Sequence, residues 1–519
     1  MHDFRRIASR SLVALLGMWL FLPPAASGAD AHAAFLAALE SITPTELESH
    51  VGYLADDRRE GREAGTRGGR EAGDYLGVQL EALGFRGAGD EGTCYQRFAP
   101  NFRNLLAAID GSDPELKQEW IILGAHYDHV GHGTKQNSKG PVGEIHNGAD
   151  DNASGTSGVL EIAEALAMLP QPPRRSVLVA FWDAEEKGLL GSKHWLAHPT
   201  LPLDRVRLVV NVDMIGRLRN DRMMVMGSRT GFGLRRLLCQ QNIQPDLLLE
   251  FPLSVLANAD HYSFFGKGIP AFTFHTDIHE DYHRPTDDAD RIDIAGMRRA
   301  TQLMFRAVYD LANRDRLPAF REASRHESDD KPPMLPEKPA VPVRLGATWS
   351  GEPPSGQGVE LKAITHESPA ERAGLRAGDR LIRWADHEIG SSQELMEAVM
   401  TAEGAVKAVA VRADHQEPVE LTVELQGEPL RLGIAWRVDD AEPEAVILTH
   451  VLRGSPADRA GLEVGDRIYQ LAGSDFGSER EFADRIAHMP ARVELLIERS
   501  GRIRRVVVEV EQAELRRAG

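Results

Sequence analysis

Cysteine is almost absent from this chain, whose 519 residues include only Cys94 and Cys239. Two thiols cannot form the disulfide framework that supports a small secreted domain, and the sequence does not decide whether they pair with each other. Two cysteines also cannot make a zinc site built on thiolates. Any metal must therefore be held by histidine, aspartate and glutamate, which are the ligands expected of an open catalytic site.

Basic residues are fewer than acidic residues in this chain. The chain has 60 Lys and Arg against 78 Asp and Glu, which gives a formal net charge of −18. A surface that binds nucleic acid needs clustered cations to replace the counterions of the phosphates. We therefore predict no nucleic-acid partner. Most of the acidic excess is typical of solvated surface and indicates no particular function.

The apolar run near the N-terminus is too short to cross a membrane. It covers residues 12–22, which are eleven residues, whereas a spanning helix needs about twenty. Arg5 and Arg6 precede the run and a segment of small residues follows it, which is the layout of a signal peptide. We expect residues 1–29 to be removed by cleavage near Ala29. The chain would then be exported to the periplasm or the extracellular space without a stable membrane span, and a retained anchor is the alternative.

Helical and strand patterns alternate from about residue 43 to residue 312, which predicts an α/β domain. Three short apolar runs in this region read as buried strands, and each ends in polar residues: EWIILGAHYD, RRSVLVAFWD and RVRLVVNVD. Open sheets build their sites at the carboxyl ends of their strands. We therefore expect the polar residues that end these runs to meet at one edge of the sheet.

The last third of the chain contains an internal repeat. Residues 314–341 are charged and rich in proline, which predicts a semi-extended linker. Beyond it, RLGATW from Arg344 matches RLGIAW from Arg431, and SPAERAGLRAGDRLI from Ser368 matches SPADRAGLEVGDRIY from Ser455. Both pairs have the same offset of 87 residues. Two motifs that share one offset predict two copies of a globular module.

The repeated SPAxRAGLxxGDxI strip resembles bacterial PDZ domains. The resemblance implies two small β-rich α+β domains, at residues 342–428 and 429–515, that bind the C-termini of peptides or partner proteins by strand addition. Packing against the catalytic domain or within an oligomer is the alternative role. The glycine of each loop would permit close approach of a peptide carboxylate. By this resemblance the carboxylate-binding loops contain Leu345, Gly346, Leu432 and Gly433.

Five motifs of the α/β region concentrate the residue types that bind metals: GAHYDHVG, GADDNASG, DAEEKGLLGS, NVDMIG and DYHRPTDD. In the first, Asp128 follows His126 by two residues and lies on the same side of an extended segment, where a carboxylate can orient the imidazole. A histidine and an aspartate at this spacing are weak evidence alone. The two glutamates of DAEEKG would, by themselves, read as exposed acids at a helix start. Together the five motifs favour a metal site.

In this order and spacing the motifs resemble the co-catalytic dizinc aminopeptidases of metallopeptidase clan MH, over about residues 40–312. The resemblance implies a mixed central sheet with helices on both faces, the zinc exopeptidase fold, for residues 30–313. It also implies two Zn²⁺ ions per catalytic domain, Glu185 as the general base, and a cis peptide bond between Asp151 and Asn152. The ligands implied are His126, Asp151 as the bridging carboxylate, Glu186, Asp213 and His283.

The chemistry of two-metal hydrolysis requires such a set. Two divalent ions about 3.5 to 4 Å apart need a bridging carboxylate, terminal nitrogen and oxygen ligands, and room for a water. Three ligand carboxylates offset most of the metal charge. The expected reaction is removal of N-terminal residues from peptide substrates, with Glu185 accepting the proton of the water and Asp128 counted among the catalytic residues.

The remaining histidines are less informative. His275 falls where the resembled family closes its substrate pocket, so we expect it to contact the substrate terminus or the tetrahedral intermediate. Asp260 and His261 fall in the same part of the family pattern as His275. Ordinary loop positions are the interpretation for most of the others, which are His129, His132, His146 and His279.

Three alternatives to an aminopeptidase remain open. A carboxypeptidase of the same clan would need arginines that grip the substrate carboxylate, and Arg217, Arg219 and Arg284 lie near the motifs. A glutaminyl cyclase works with a single zinc, whereas this chain has every residue of the two-metal set. An inactive periplasmic scaffold would lack a ligand or the base, and none is missing.

Overall fold

The structure is a computed structural model that describes residues 28–330, 344–349, 358–412, 415–427, 429 and 432–510. Residues 1–27 of the predicted signal peptide and residues 331–341 of the predicted linker lie outside the described residues. Within the described ranges, no helix combines the length and the apolar character that a membrane crossing requires.

The N-terminal domain alternates helices and strands. Its helices are α1 (Gly28–Ser41), α2 (Pro44–Leu54), α3 (Arg67–Ala82), α4 (Gly155–Ala167), α5 (Leu190–Ala197), α6 (Leu234–Gln241), α7 (His261–Phe265) and α8 (Ile294–Asn313). Its strands are β1 (Arg86–Gly87), β2 (Tyr95–Phe98), β3 (Phe102–Ile109), β4 (Trp120–His126), β5 (Ser176–Trp182), β6 (Val206–Val212), β7 (Arg222–Met226), β8 (Leu248–Glu250) and β9 (Ala271–His275).

These strands form one mixed sheet in the order β1-β3-β5-β4-β6-β9-β7-β8, with β2 paired to β3. The central strands β5, β4, β6 and β9 run parallel, whereas β3 is antiparallel to β5 and β7 is antiparallel to β9. All seven residues of β4 are buried, as expected for a parallel strand that is covered on both faces.

Helices cover both faces of the sheet, as the alternation of side chains along β4 shows. Ile121 and Leu123 pack in the core cluster that includes Val159 of α4. Ile122, between them in sequence, packs on the other face with Trp195 of α5 and Phe264 of α7. Successive side chains of a strand point to opposite faces, so one apolar run supports both layers. The predicted mixed α/β fold is confirmed.

The two repeats have the same succession of elements. The first contains β10 (Ala347–Trp349), β11 (Val359–Ile364), α9 (Pro369–Arg372), β12 (Arg380–Trp384), β13 (His387–Glu388), α10 (Ser392–Thr401), β14 (Ala405–Arg412) and β15 (His415–Glu424). The second contains β16 (Ile434–Val438), β17 (Val446–Val451), α11 (Pro456–Arg459), β18 (Arg467–Leu471), β19 (Ser474–Asp475), α12 (Glu479–Ala487), β20 (Arg492–Arg499) and β21 (Arg502–Glu509).

Matching residues of the two repeats have the same structural roles. Ser368 and Ser455 cap the short helices α9 and α11 by accepting a backbone N–H three residues later. Gly346 and Gly433 both have a φ of +73°, and a Cβ on either would lie 2.2 Å from the Cβ of the capping serine. Only glycine therefore fits these two positions without a shift of the neighbouring serine.

The chain segment after α8 packs on the N-terminal domain, although residues 314–341 were predicted as a linker. The backbone N–H of Arg321 donates to the Thr230 carbonyl at 2.8 Å. Glu327 accepts hydrogen bonds from the Arg229 guanidinium at 2.7 and 2.9 Å. The first half of the predicted linker thus lies against the first domain through charged side chains, which gave no apolar pattern in the sequence.

The second repeat is docked on the N-terminal domain. Arg235 of α6 donates two hydrogen bonds of 3.0 Å to Glu498, whose side chain is fully buried. Arg229 donates to Asp439 at 2.6 Å. At the edge of the large sheet, the Leu249 N–H of β8 donates to the carbonyl of Ser500 in the β20–β21 turn at 3.0 Å. The second repeat therefore covers the edge of β8 that no other described strand of the large sheet pairs with. Covering a sheet edge is a common way to protect it.

Both cysteines are buried free thiols. Cys94 belongs to the core of the N-terminal domain. The pairing that the sequence left open is absent from the structure.

Candidate metal centre

Three neighbouring parallel strands deliver polar side chains to one edge of the sheet. His126 is the last residue of β4, the segment with Glu185 and Glu186 follows β5, and Asp213 directly follows β6. The strand ladder continues beyond β4, because the Tyr127 N–H donates to the Trp182 carbonyl at 3.0 Å. The convergence predicted from the three apolar runs is thus present.

The five residues of the predicted ligand set lie together. His126 Nε2 is 3.3 Å from Asp151 Oδ1 and 3.4 Å from Asp213 Oδ1. His283 Nε2 is 3.1 Å from Asp151 Oδ2 and 3.2 Å from Glu186 Oε2. Asp151 therefore faces one group of donor atoms with each of its two carboxylate oxygens. Both groups have the composition of a site that can hold a metal ion.

Both histidines present their Nε2 atoms to the carboxylates. Nδ1 of His126 lies 3.1 Å from the Asp128 carbonyl, and Nδ1 of His283 lies 2.8 Å from the Asn137 carbonyl. A carbonyl only accepts, so each Nδ1 carries a proton and Nε2 is the ring nitrogen that faces the carboxylates. Metal-binding histidines are normally oriented in this way.

The donor atoms have the chemistry of a metal site. Each group offers ligand atoms within 4.8 Å of one another. Asp213 Oδ1 and His283 Nε2 are buried and have no hydrogen-bond partner among the described residues. Asp151, Glu186 and Asp213 also bring three carboxylates into one buried space. Burying charges and polar atoms without partners costs free energy. Bound cations would balance the charge of the carboxylates and coordinate the unpaired atoms.

The backbone around Asp151 is held by two further side chains. The carboxylate of Asp287 accepts hydrogen bonds from the N–H groups of Asp150 and Asp151 at 3.0 and 3.1 Å. The amide oxygen of Asn152 accepts from the Met214 N–H at 3.1 Å, which joins the loop to the segment after β6. The Asp151–Asn152 peptide bond is cis, as the family resemblance implied.

Asp150, the neighbour of Asp151, points away from the donor atoms. Its Oδ1 accepts from the Gly216 N–H at 2.6 Å. Its Oδ2 lies 3.1 Å from His279 Nε2. The assignment of Asp151 rather than Asp150 to the donor cluster agrees with these contacts.

Glu185 lies beside the donor cluster, held through its backbone. Its N–H donates to Asp128 Oδ1 at 3.0 Å. Burial raises the pKa of the Glu185 carboxyl well above its usual range. Glu186, the next residue, instead directs its carboxylate toward His283 and His129. The two glutamates therefore occupy different positions, as the family resemblance implied.

Asp128 contacts different groups from those expected. Its Oδ1 is 3.8 Å from His126 Nδ1, which exceeds a hydrogen-bond distance. The imidazole is oriented by the backbone carbonyl of Asp128 instead, and the carboxylate holds the N–H of Glu185. The expected orientation of His126 by this carboxylate is thus replaced by positioning of the segment that carries Glu185.

Two residues near the centre were not recognised from the sequence. Arg62 is completely buried, and its guanidinium donates to the carbonyls of Leu54, Tyr127 and Gly148 at 2.8, 3.1 and 3.0 Å. Burial lowers the pKa of Arg62 to about 10, so it remains a cation at neutral pH. His129, interpreted as an ordinary loop residue, lies inside the donor cluster with its Nδ1 2.8 Å from Glu186 Oε1. The spacing of His129 from His126 is a signal that could have indicated it.

His275, the predicted substrate contact, and the two predicted carboxylate-binding loops are each held by contacts within their own domain. His275 ends β9, is buried, and accepts a hydrogen bond from the Asp277 N–H at 2.7 Å. Leu345 and Leu432 are buried in the cores of the two repeats. The N–H groups of Ala370 and Ala457 donate to the carbonyls of these two leucines, which fixes the loops in the same way in both repeats.

Comparison with known proteins supports the two kinds of domain. Residues 104–308 match the model of peptidase family M28, and residues 447–499 match that of the PDZ domain. Leupeptin-inactivating enzyme 1 of Streptomyces exfoliatus is 29% identical over 219 residues, which are 41% of this chain and 45% of the relative. Aminopeptidase YwaD of Bacillus subtilis is 26% identical over 208 residues, which are 38% of this chain and 42% of the relative. The match thus spans less than half the length of each relative.

Among solved structures, the LapA aminopeptidase of Legionella pneumophila has a TM-score of 0.46 and 21% identity, and the match covers 55% of this chain and 75% of that one. The mixed sheet of this chain holds its buried group of carboxylates and imidazoles at the carboxyl ends of its strands, where open α/β sheets place their ligand sites. The chain contains a domain of peptidase family M28, followed by a C-terminal PDZ domain.

Proposed function

We propose that this chain is an aminopeptidase that uses two zinc ions and Glu185 as its general base. The observation that carries the proposal is the pair of donor groups that share Asp151, with Glu185 next to them. Family M28 membership of residues 104–308 and the names of the relatives support the same reaction class.

The residues that would hold the zinc ions are His126, Asp151, Glu186, Asp213 and His283. When bound, two zinc ions would polarise the scissile carbonyl and make a water molecule acidic enough to attack it. Glu185 accepts the proton of this water and then donates it to the leaving amine. Asp128 keeps Glu185 in place through the backbone N–H of Glu185. His275, at the end of β9, is proposed to contact the substrate.

Two of the three arginines named as candidates for a carboxypeptidase site are engaged elsewhere. Arg217 donates to Asp281 at 2.9 Å. Arg219 donates to the carbonyls of Thr276 and Ile278 at 3.2 and 3.0 Å. Two of the three candidates for binding a substrate carboxylate are therefore tied to this chain's own groups, which favours the aminopeptidase.

We propose peptide binding for the PDZ modules and export for the whole chain. In each repeat the strand that follows the glycine loop, β10 or β16, lies at the end of its sheet and pairs on one side only within the described residues. A peptide C-terminus can add a strand to such an edge while the loop at Gly346 or Gly433 receives its carboxylate. The signal-peptide layout of residues 1–29 supports a periplasmic or extracellular location.

The reaction class is tested by comparing substrates that differ only at the N-terminus. Aminoacyl-anilides with several side chains are assayed beside their N-acetylated forms, with the full chain and added zinc. An aminopeptidase cleaves the free amines and leaves the acetylated forms intact. Equal cleavage of both forms, or cleavage only at C-terminal residues, would contradict the proposal.

A further inference from the structure

His129 is the unexpected member of the donor cluster. It follows His126 by three residues, and its side chain has no exposed surface. Its Nδ1 lies 2.8 Å from Glu186 Oε1 and 3.8 Å from Asp151 Oδ2. Its ring stands nearly perpendicular to that of His283, with the ring centres 5.5 Å apart. Two imidazoles therefore converge on the same pair of carboxylates.

The position of His129 is fixed from several sides. Its backbone N–H donates to the Arg62 carbonyl at 3.3 Å. Gly148 lies directly against the ring, since a Cβ on this glycine would be 2.5 Å from two ring carbons. The ring thus cannot move away from Glu186 toward Gly148, and its Nδ1 stays directed at the cluster.

His129 can offer one nitrogen to a metal ion. A neutral imidazole carries one proton and one nitrogen lone pair. The Nε2 of His129 is buried with no hydrogen-bond partner among the described residues. With the proton on Nε2, the lone pair on Nδ1 faces the carboxylates, which is the arrangement a metal ligand needs.

The two donor groups are therefore unequal. One contains His126, Asp151 and Asp213, and so offers one nitrogen and two oxygens. The other contains His129, Asp151, Glu186 and His283, and so offers two nitrogens and two oxygens. We propose that His129 binds, through Nδ1, the same metal ion as Glu186 and His283. This inference rests on the proposed two-metal function and deepens it.

A difference in affinity follows from the difference in ligand number. Four protein donors resemble a closed zinc site, whereas three donors leave a position for water or substrate. Compared with a site made only of carboxylates, a site with two imidazoles also favours zinc over manganese, which prefers oxygen ligands. The first zinc ion to bind would enter the group with His129, and the second would enter the group with His126.

The test counts imidazole ligands in the full chain. Metal-free protein receives one equivalent of Zn²⁺, and X-ray absorption at the zinc edge reports the number of bound imidazoles. We expect two imidazoles in the wild type and one in His129→Asn. Zinc affinity, measured by competition with a chelator, should fall by more than about 100-fold. Loss of a residue that only hydrogen-bonds to a metal ligand lowers metal affinity by at most about 100-fold. His129→Gln provides a second variant if Asn does not fold.

His146→Asn is the matched control, because His146 is a buried histidine of the same loop region whose Nε2 lies 2.8 Å from Ser138 Oγ. It should leave the imidazole count and the affinity unchanged. A count of one imidazole in the wild type, or the same count in wild type and His129→Asn, would overturn the proposal and leave His129 as a residue that orients Glu186. A wild-type chain that binds no zinc would instead contradict the two-metal function itself.

Discussion

Asp151 is the residue on which the arrangement of the centre depends, because each of its carboxylate oxygens serves a different donor group. Its backbone is held by Asp287 and its loop is joined to the segment after β6 by Asn152. A side chain with one oxygen and one amide nitrogen cannot bind two cations in this way.

Asp151→Asn should therefore lose at least one of two zinc ions and reduce turnover by about 1,000-fold or more, since metal polarisation contributes several kcal/mol to catalysis. Zinc content by mass spectrometry and turnover of an aminoacyl-anilide measure the two effects. Asp150→Asn is the control and should keep both metals, because Asp150 contacts Gly216 and His279 instead. Full metal content in Asp151→Asn would contradict the bridging role.

The sequence predicted these donor residues because their motifs are local and share the order of a known family. It did not predict that the Asp128 carboxylate would hold Glu185 instead of His126, since this depends on the turn after β5. The position of His129 was also missed. A histidine in a loop becomes a donor only when distant residues, here Arg62 and Gly148, fix its ring.

At the scale of secondary structure, apolar runs that end in polar residues predicted the central strands and the edge where the centre lies. The docking of the β20–β21 turn on β8 could not be predicted in the same way. It is made by backbone groups, such as Leu249 and Ser500, and by charged pairs between residues more than 200 positions apart. Neither kind of contact leaves a periodic pattern in the sequence.

The charged pair between α6 and β20 should contribute strongly to stability. Arg235→Ala would leave the fully buried Glu498 without its bidentate partner. Breaking a buried pair in this way costs about 3 kcal/mol or more. Urea denaturation of the full chain measures the change in the free energy of unfolding.

Arg222→Ala is the matched control for this change. Its pair with Glu250 is exposed, with 57% and 42% of the two side chains accessible, so the cost should stay below about 1 kcal/mol. Equal costs for the two variants would show that the docking contact does not stabilise the chain.

At the scale of the whole molecule, the segment after α8 joins the peptidase domain to the second repeat. Glu327 accepts hydrogen bonds from Arg229 and Arg321, and these arginines also bind Asp439 and Asp440 of the second repeat. Residues 314–330 thus belong to an interface and not to a free tether. Charged composition alone predicted a linker, because charge complementarity to a distant surface is invisible in a single segment.

This network predicts a loss of stability in acid. Burial alone would raise the pKa of Glu327, but the hydrogen bonds from Arg229 and Arg321 outweigh it and lower the pKa to about 2. A glutamate in the unfolded chain has a pKa of about 4.3, so the unfolded state takes up the proton first as the pH falls. The stabilisation by Glu327 is complete above about pH 4.3 and is lost as the pH falls toward 2.

Glu327→Gln should therefore have a lower melting temperature than the wild type at pH 6, and this difference should shrink between about pH 4.3 and pH 2. Thermal unfolding followed by circular dichroism across this range measures it. Glu322→Gln is the control, because Glu322 is 73% exposed in its pair with Arg325. A difference that stays constant with pH would show that Glu327 does not stabilise through its charge.

The central claim is a hydrolytic centre in which metal binding and proton transfer belong to different residues. Glu185→Gln tests it most directly, with zinc content and turnover measured on the same preparation. We predict that this variant keeps two zinc ions per chain and loses turnover by about 100-fold or more, since a positioned general base contributes at least that factor. A variant that retains its zinc and stays active, or that loses its zinc together with its activity, would contradict the assignment.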